Sequence, residues 1–275
     1  MLALTREVSP ALARCQLTHV PRRVIDVDRA RAQHAAYEDA LRAMGCHVER
    51  LAAGDEMPDS VFIEDTALVL DEVAVIARPG APSRRGEVQA IMLALQPYRP
   101  LIQIEPPGTL DGGDILVVAR SIFVGVTAPA RLRRRGPPAG RTNAEGVAQL
   151  RQAAGHFGYD VRAVAIRGCL HLKSAVTALD AETLLVQREW APADDFRAFE
   201  LVDVHSSEPA GANVVRVGAR LLYADAFPRT RDRIASRGYD LSTVDVSELA
   251  KAEGALTCCS LIFGENVPGD RNLPG

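Results

Sequence analysis

The chain has 275 residues, of which 47% are hydrophobic, and it can therefore bury a large core as one domain or as two small ones. A formal net charge of −3 gives no reason to expect a nucleic-acid partner or an anionic membrane surface. No apolar run reaches the length of a transmembrane helix, and Arg6, Glu7 and Pro10 interrupt the segment where a signal peptide would be apolar. Five cysteines without a spaced framework indicate free thiols in a reducing compartment, so we expect a cytoplasmic protein.

Hydrophobic spacing and turn signals predict the same strand–strand–helix–strand unit several times along the chain. The predicted elements begin with a helix over 28–44, a strand near Val48, strands over 60–69 and 73–76, a helix over 85–98, a strand over 101–104, strands over 114–118 and 122–125, a helix over 143–157 and a strand over 161–166. They continue with strands over 173–176 and 184–186, a helix near Asp194, a strand over 201–204, strands over 213–217 and 221–223, a helix over 230–237, a strand over 241–246 and a C-terminal strand over 256–263. The first helix and the last strand together complete a fifth unit.

A unit of this kind, repeated roughly every 45 to 60 residues, cannot bury its apolar face alone. Radial packing of such units would leave a central cavity where equivalent strand ends converge. A doubly wound sheet is the alternative, and we disfavour it because hairpin-like strand pairs recur where that fold needs a helix between strands. No G-x-G-x-x-G motif and no phosphate loop follow any predicted strand, so no nucleotide cofactor is expected.

Two residues far apart in the chain suggest nucleophilic catalysis. Cys258 stands at the start of the last predicted strand, just after a turn at 253–254, and His171 lies far upstream. A cysteine in this setting is by itself more often a small core residue, but a cysteine and a separate histidine brought together by the fold suit a thiolate and its proton shuttle. Zinc is a weaker alternative for Cys258, Cys259 and His171, because no C-x-x-C or H-E-x-x-H spacing occurs. We expect no metal and no cofactor.

Acidic residues and glycines cluster at the junctions of the repeat, over 58–65 and 108–114, and arginines stand at matching turns, at Arg84 and Arg141. Each cluster alone is typical of a turn, a strand-end cap or a solvated helix start. Equivalent positions of a radial repeat face one axis, however, which would gather these groups around the cysteine and the histidine. Arginine forks suit a substrate carboxylate, acids suit a cation, and a thiolate needs an electrophilic carbon. A guanidinium carried by an amino acid meets all three conditions.

Six runs of the sequence resemble dimethylarginine dimethylaminohydrolase, of the guanidine-modifying superfamily with the five-bladed pentein fold. The runs are VFIED at 61–65, RPGAPSRR at 78–85, LDGGD at 110–114, RTN at 141–143, LHLKS at 170–174 and LTCCS at 256–260. The resemblance implies a single catalytic domain over 1–275, an α/β propeller of pseudo-symmetric ββαβ units. It also implies hydrolysis of asymmetric dimethylarginine or monomethylarginine to citrulline and the methylated amine, through a covalent thiouronium intermediate on cysteine.

The resemblance further implies individual roles, carried over position by position. The catalytic residues would be Cys258 as nucleophile, His171 as general acid and base, and Asp111. The substrate-binding residues would be Leu17 of a mobile N-terminal flap, Asp59 at the α-amino group, Glu64 and Asp65 on the guanidinium side, Arg84 and Arg141 at the α-carboxylate, and the backbone of Ala252. Asp111 would hold the guanidinium together with Asp65.

Several alternatives stay open at this point. Arginine deiminase and amidinotransferase share the fold and the nucleophile, but the pattern at their acid–base site is His-x-Asp. This chain has Lys173 in place of that aspartate, so an acid that would hold unsubstituted arginine is missing. A binding module of the same architecture would not need Cys258, His171 and the acids together. The stretch 128–140, rich in arginine and proline, is longer than the family pattern, which predicts a flexible charged loop, with a lid or a partner contact as the functional option. The expected partner is a small-molecule substrate, and a homodimer is an open option.

Overall fold

The computed structural model describes residues 1–127 and 140–265, so most of the predicted 128–140 loop lies outside the described residues. The strands are β1 (Leu2–Arg6), β2 (His47–Leu51), β3 (Ala67–Val69), β4 (Ala74–Ile76), β5 (Leu101–Gln103), β6 (Ile115–Val118), β7 (Ser121–Thr127), β8 (Asp160–Ile166), β9 (Val176–Ala178), β10 (Thr183–Val186), β11 (Glu200–Asp203), β12 (Val214–Val217), β13 (Arg220–Ala224), β14 (Asp240–Val244) and β15 (Leu261–Phe263). The α-helices are α1 (Val27–Ala43), α2 (Val88–Leu95), α3 (Ala144–Gly155), α4 (Pro228–Ala235) and α5 (Ser247–Lys251).

Helix boundaries follow capping chemistry that the sequence displays. The Asp26 carboxylate accepts the Arg29 N–H at 3.0 Å to begin α1, and the Asn143 side chain accepts the Gly146 N–H at 2.8 Å to begin α3. Gly45, at φ +94°, follows the end of α1 in the left-handed conformation that only glycine adopts without strain. The helices predicted over 28–44, 143–157 and 230–237 are therefore confirmed to within a few residues.

The strands form five separate three-stranded sheets, in the orders β15-β1-β2, β3-β4-β5, β6-β7-β8, β9-β10-β11 and β12-β13-β14. In each sheet the middle strand pairs antiparallel with one neighbour and parallel with the other. The first sheet closes the ring, because Leu4 of β1 pairs with Leu261 near the C-terminus on one side and with Glu49 on the other. The predicted five-bladed α/β propeller of ββαβ units is confirmed.

The strands of each sheet that lie nearest the axis surround a central channel. Residues of β3, β6, β9, β12 and β15 line a cavity of about 500 Å³ there. The apolar core is divided into clusters that lie between neighbouring blades, with Tyr37, Tyr223, Phe123 and Phe196 among the largest fully buried side chains. Each blade is therefore stabilised by its neighbours, as expected of a unit that cannot bury its own face.

Three predicted strands begin with a 3-10 turn instead. The runs predicted over 60–69, 173–176 and 256–263 contain 3-10 helices at Ile63–Thr66, Leu172–Ser174 and Thr257–Cys259, and the true strands β3, β9 and β15 follow them. Each of these turns buries at least one side chain because the turns pack against one another around the axis, which gives burial without strand pairing. Burial and strand formation cannot be told apart by periodicity in such short runs.

Other differences concern the chain ends and the fourth blade. The sequence analysis did not predict β1, whose five residues are all buried and therefore lack alternation, or the short helix α5. The helix predicted near Asp194 is only a 3-10 helix, Ala193–Phe196. Across residues 1–127 and 140–265, none of the helices combines the length and the apolar character needed to cross a membrane.

Candidate active site

Four 3-10 turns meet near one end of the axis and bring the predicted catalytic groups together. Each turn lies directly before the innermost strand of its blade, as in Ile63–Thr66 before β3, Gly112–Asp114 before β6 and Thr257–Cys259 before β15. The turns contact one another across blades. Equivalent positions of the repeat therefore face a common site, as the sequence predicted.

The glycine pair of the LDGGD run makes this close approach possible. A Cβ atom on Gly112 would lie 1.9 Å from the Glu64 carbonyl oxygen, and one on Gly113 would lie 2.6 Å from His171 Nδ1. Both distances are far below van der Waals contact, so a larger residue at Gly112 would displace backbone, and one at Gly113 would displace the His171 and Asp65 side chains. These glycines are a packing requirement of the site as well as a turn signal.

The turns surround a small cavity at this end of the propeller. It is lined by Gln16, Asp59, Phe62, Asp65, Arg84, Arg141, Leu170, His171, Ala252, Glu253, Gly254 and Cys258. Seven of the ten predicted site residues are in this set. The cavity volume is about 30 Å³, comparable to the space that one water molecule occupies in the liquid. The wall must therefore move before an amino acid can enter.

His171 lies between two buried carboxylates. Its Nε2 atom is 3.1 Å from Asp111 Oδ2, and its Nδ1 atom is 3.7 Å from Asp65 Oδ1. Burial alone would lower the pKa of His171, but the charges of Asp65, Asp111 and Asp114 outweigh it and raise the pKa to about 9. The ring is therefore protonated at neutral pH and ready to act as an acid.

The structure gives Asp111 a different place from the one expected. Its carboxylate is fully buried, contacts His171 on one side and accepts the Gly80 N–H at 2.8 Å on the other. It therefore orients and charges the imidazole and does not reach the cavity where the guanidinium would lie. Asp111 is not among the residues that line that cavity, and its contact with the guanidinium stays a prediction.

Asp65 and Arg84 form a buried ion pair beside the histidine. Burial raises the pKa of Asp65, but His171, Arg84 and the Gly113 N–H outweigh it and lower the pKa to about 2, so the carboxylate stays ionised. The Arg84 guanidinium also binds both carboxylate oxygens of Glu87 and the carbonyls of Asp59 and Phe62. Arg84 therefore lines the cavity as predicted, but its donors are committed mainly to groups of the chain itself.

Glu64 and Lys173 face the opposite cavity. The Lys173 Nζ atom donates to Glu64 Oε1 at 2.5 Å, and Thr257 Oγ1 donates to Glu64 Oε2 at 2.8 Å. Both charged residues line the 500 Å³ channel, on the far side of the nucleophile turn. Glu64 lines this channel, whereas its neighbour Asp65 lines the cavity at Cys258, so a place for Glu64 beside the substrate stays a prediction.

Cys258 lies on the Thr257–Cys259 turn, where it is partly exposed to the cavity, and Cys259 is completely buried in the core. The strand predicted over 256–263 begins only at Leu261, so both cysteines lie on the turn before it. Consecutive residues of a 3-10 helix point about 120° apart, which separates them. Burial raises the pKa of Cys258, and the charges of Glu64 and Asp65 raise it further, so the thiol is protonated at neutral pH.

One residue that was not singled out from the sequence, Asn213, holds the nucleophile turn. Asn213 Oδ1 accepts the Thr257 N–H at 3.1 Å, and Asn213 Nδ2 donates to Thr257 Oγ1 at 3.0 Å and to the Lys173 carbonyl at 3.1 Å. Asn213 occupies the start of the fifth blade, at a junction equivalent to those that carry the acids. Its repeat position could have identified it, although its chemistry gave no signal.

Leu17 and Arg141 lie at the mouth of the site. Leu17 is half-buried and packs against the apolar cluster that contains Cys258 and Ala252. Arg141 lines the cavity and contacts the side chains of Gln16 and Thr18, each at 3.4 Å. Gln16, Phe62, Leu170, Glu253 and Gly254 complete the wall and were not predicted.

One group of side chains in the described residues has the spacing of a metal site. Ligand atoms of Asp65, Asp111 and His171 all lie within 4.8 Å of one another. Metal binding to histidine requires a neutral ring, and the high pKa of His171 opposes this at neutral pH. The cysteine pair considered in the sequence analysis is not part of this group.

A five-bladed α/β propeller with a cysteine, a histidine and acids at one end of its axis defines a guanidine-modifying enzyme of the pentein class. Among relatives, the dimethylarginine dimethylaminohydrolase of Streptomyces coelicolor is 41% identical over 96% of this chain and 97% of its own, and that of Pseudomonas aeruginosa is 35% identical over 86% and 90%. No family model matches. The chain belongs to the dimethylarginine dimethylaminohydrolase family.

Solved structures agree with this assignment. The Pseudomonas aeruginosa enzyme, as a cysteine-to-serine mutant complexed with citrulline, superposes with a TM-score of 0.86 at 33% identity, over 95% of this chain and 98% of its own. The N-terminal domain of ArgZ, covalently bound to a reaction intermediate, reaches a TM-score of 0.81 at 15% identity, over 94% and 96%. The second likeness shows a shared fold alone.

Proposed function

We propose that the protein hydrolyses Nω-methylated arginines, asymmetric dimethylarginine and monomethylarginine, to citrulline and the methylated amine. The observation that carries the proposal is the convergence of Cys258, His171 and Asp65 on one cavity with Arg141 at its mouth. Membership of the dimethylarginine dimethylaminohydrolase family supports the same reaction.

The first half of the reaction forms a covalent intermediate. A bound guanidinium cation offsets the carboxylates near Cys258, which favours loss of the thiol proton to solvent and leaves a thiolate. The Cys258 Sγ atom then bonds to the guanidinium carbon. His171 donates its proton to the methylated nitrogen, the bond from carbon to that nitrogen breaks, and the amine departs. A thiouronium on Cys258 remains.

The second half returns the enzyme to its starting state. The neutral His171 takes a proton from water as the water oxygen attacks the thiouronium carbon. The carbon–sulfur bond breaks, the electron pair returns to Cys258 as a thiolate, and the protonated urea loses its proton to give citrulline. Asp111 keeps His171 oriented throughout, through the 3.1 Å contact with Nε2.

The remaining roles follow from charge and position. Asp65, with its pKa near 2, supplies a permanent negative charge for the guanidinium. We assign the α-carboxylate to Arg141, with Arg84 contributing through its side of the cavity, and the α-amino group to Asp59 and the backbone of Ala252, all of which line the cavity. Glu64 acts at a distance, by anchoring Thr257 beneath the nucleophile.

Arginine deiminase is the second candidate, and the ion pair of Lys173 argues against it. Lys173 stands at the position where deiminases are expected to have an acid. Its ammonium group points away from the cavity and binds Glu64. This side of the guanidinium therefore receives no carboxylate from that position. A dimethylated nitrogen, which has no N–H to donate, loses no partner there.

Purified protein incubated with asymmetric dimethylarginine, monomethylarginine, arginine or buffer tests the proposal, with citrulline as the readout. We expect citrulline from both methylated substrates and little from arginine. Cys258→Ser is the inactive control. Faster turnover of arginine than of the methylated substrates would overturn the assignment in favour of a deiminase.

We also propose that residues 1–275 form one catalytic domain that acts in the cytoplasm on a small-molecule substrate. All five cysteines are free, and four of them are buried, which suits a reducing compartment. A homodimer is a further proposal, which sedimentation of the purified protein would test.

A further inference from the structure

A short segment of the N-terminal loop closes the cavity, and it is held by two acids. We name residues 16–19 the lid segment. The Gln16 N–H lies 3.2 Å from both carboxylate oxygens of Asp59. Glu253 Oε2 accepts the Thr18 N–H at 2.6 Å, and Glu253 Oε1 accepts the His19 N–H at 2.7 Å. One carboxylate thus holds two successive backbone donors, a strong charge-assisted pair.

The lid segment is also the part of the wall that can move. Gln16, Thr18 and His19 are exposed, and Leu17 is the member that packs on the apolar core. An exposed segment with few apolar contacts opens at low free-energy cost. Because the closed cavity holds little more than one water molecule, substrate entry requires such an opening.

Closure of the lid segment fixes the arginine at the mouth of the site. The Arg141 guanidinium contacts Gln16 Oε1 and Thr18 Oγ1, both members of the lid segment, at 3.4 Å. When the lid segment leaves, Arg141 loses both contacts, and its long side chain regains rotamer freedom. The bonds made by Glu253 therefore act on Arg141 through the backbone of Thr18.

Glu253 stands at the C′ position of a Schellman cap that ends α5, where the Glu253 N–H donates to the Ala250 carbonyl at 3.1 Å and the Gly254 N–H donates to the Leu249 carbonyl at 3.1 Å. Glu253 is at φ +62°, a left-handed value that disfavours any residue with a Cβ atom. Its neighbour Gly254 lies against Phe62, since a Cβ atom there would be 2.2 Å from the ring. The left-handed φ is therefore the one that this helix cap requires. The cap fixes the backbone from which the Glu253 carboxylate reaches the lid segment.

We propose that Glu253 is a positioning residue that latches the lid segment over bound substrate and, through it, holds Arg141 for the α-carboxylate. The inference rests on the proposed function, because it names the substrate group that benefits. Glu253 itself touches neither the nucleophile nor the histidine. Its carboxylate shifts the lid segment towards the closed state. The apparent substrate affinity is the affinity of the closed state multiplied by the fraction of molecules whose lid is closed, so loss of the latch weakens substrate binding.

Glu253→Gln tests the latch, because the amide keeps the size but can accept only one of the two N–H bonds well. We expect KM for dimethylarginine to rise about tenfold, as for loss of a hydrogen bond to a charged group, with kcat changed less than twofold. Glu56→Gln is the matched control, since Glu56 is an exposed acid whose ion-pair partner is Arg14. An unchanged KM in Glu253→Gln, or an equal rise in the control, would overturn the latch.

Two further measurements separate a latch from a merely structural role. Trypsin should cleave after the exposed Arg22 or Arg23 faster in Glu253→Gly than in the wild type, although glycine relieves the strained φ and leaves the melting temperature unchanged or higher. A cleavage rate equal to the wild type, or a lower melting temperature together with a lower kcat, would contradict the latch.

The substrate group is tested with the decarboxylated analogue, dimethylagmatine. If Glu253 acts through Arg141 on the α-carboxylate, the Glu253→Gln penalty on kcat/KM should shrink at least threefold on this analogue. An equal penalty on both substrates would refute the link to Arg141. Failure of the wild type to release citrulline from dimethylarginine would instead refute the proposed function, so the two failures are distinguishable.

Discussion

Replacement of Asp111 by asparagine should lower the pKa of His171 while leaving the fold intact. The asparagine carbonyl can still accept the Gly80 N–H, which now goes to Asp111 Oδ1 at 2.8 Å. The amide Nδ2 then takes the place of Oδ2 opposite His171 Nε2 and can only donate, so the protonated imidazole loses a hydrogen bond between charged groups that contributes about 1.5 to 3 kcal/mol. At about 1.4 kcal/mol per pKa unit, the pKa of His171 should fall from about 9 to about 7 to 8, since Asp65 still contacts Nδ1.

Nitrogen-15 NMR of labelled imidazole rings measures this directly across a pH titration. The chain has six histidines, and His171→Gln identifies the signal of His171 by its loss. At neutral pH the Asp111→Asn variant should protonate the leaving amine more slowly, because a smaller fraction of His171 carries the proton. A pKa in the variant that stays near 9 would refute the account of how Asp111 acts.

Three further predictions follow from the nucleophile turn and its surroundings. Cys258→Ser should abolish citrulline release while Cys259→Ser keeps most of it, measured on matched samples, and loss of activity in both alike would contradict the assignment. Lys173→Met should lower the free energy of unfolding by about 3 to 5 kcal/mol in urea titrations, because it leaves the buried Glu64 carboxylate without its counter-ion, and adding Glu64→Gln should restore much of the loss. Stability should fall as the pH drops from about 4 to about 2, since Asp65 has a folded pKa near 2 against an ordinary value near 3.9 and its stabilising charge is complete above that value; an Asp65→Asn variant with the same acid transition would contradict this.

Much of the fold could be predicted because most blades present their strands and helices as regular patterns. The 3.6-residue spacing in α1 and α3 and the paired apolar runs of β6 and β7 are visible in the sequence, and their repetition indicates radial packing. The 3-10 turns were mistaken for strand starts, because their side chains are buried against other turns. No single segment shows that kind of contact.

The site was predicted in composition more than in orientation. Cys258, His171 and Asp65 lie together as expected. The direction of Glu64 was not predictable, because residues one apart on a 3-10 turn point to different ends of the axis and the turn itself was not recognised. The orientation of the Asp111 side chain was not predictable either, because it depends on contacts between blades that only the folded chain makes. Glu253 gave no signal as a site residue, since its carboxylate bonds to a loop that is distant in sequence.

The central claim is that the Cys258 sulfur bonds to the guanidinium carbon of a methylated arginine. Rapid acid quenching during turnover of isotopically labelled dimethylarginine, followed by peptide mass spectrometry, tests it most directly. We predict that the peptide containing the Thr257–Cys259 turn gains the mass of the substrate less dimethylamine, that fragmentation places this mass on Cys258, and that Cys258→Ser lacks it. Labelled citrulline released without any such adduct, or an adduct on Cys259, would contradict the account.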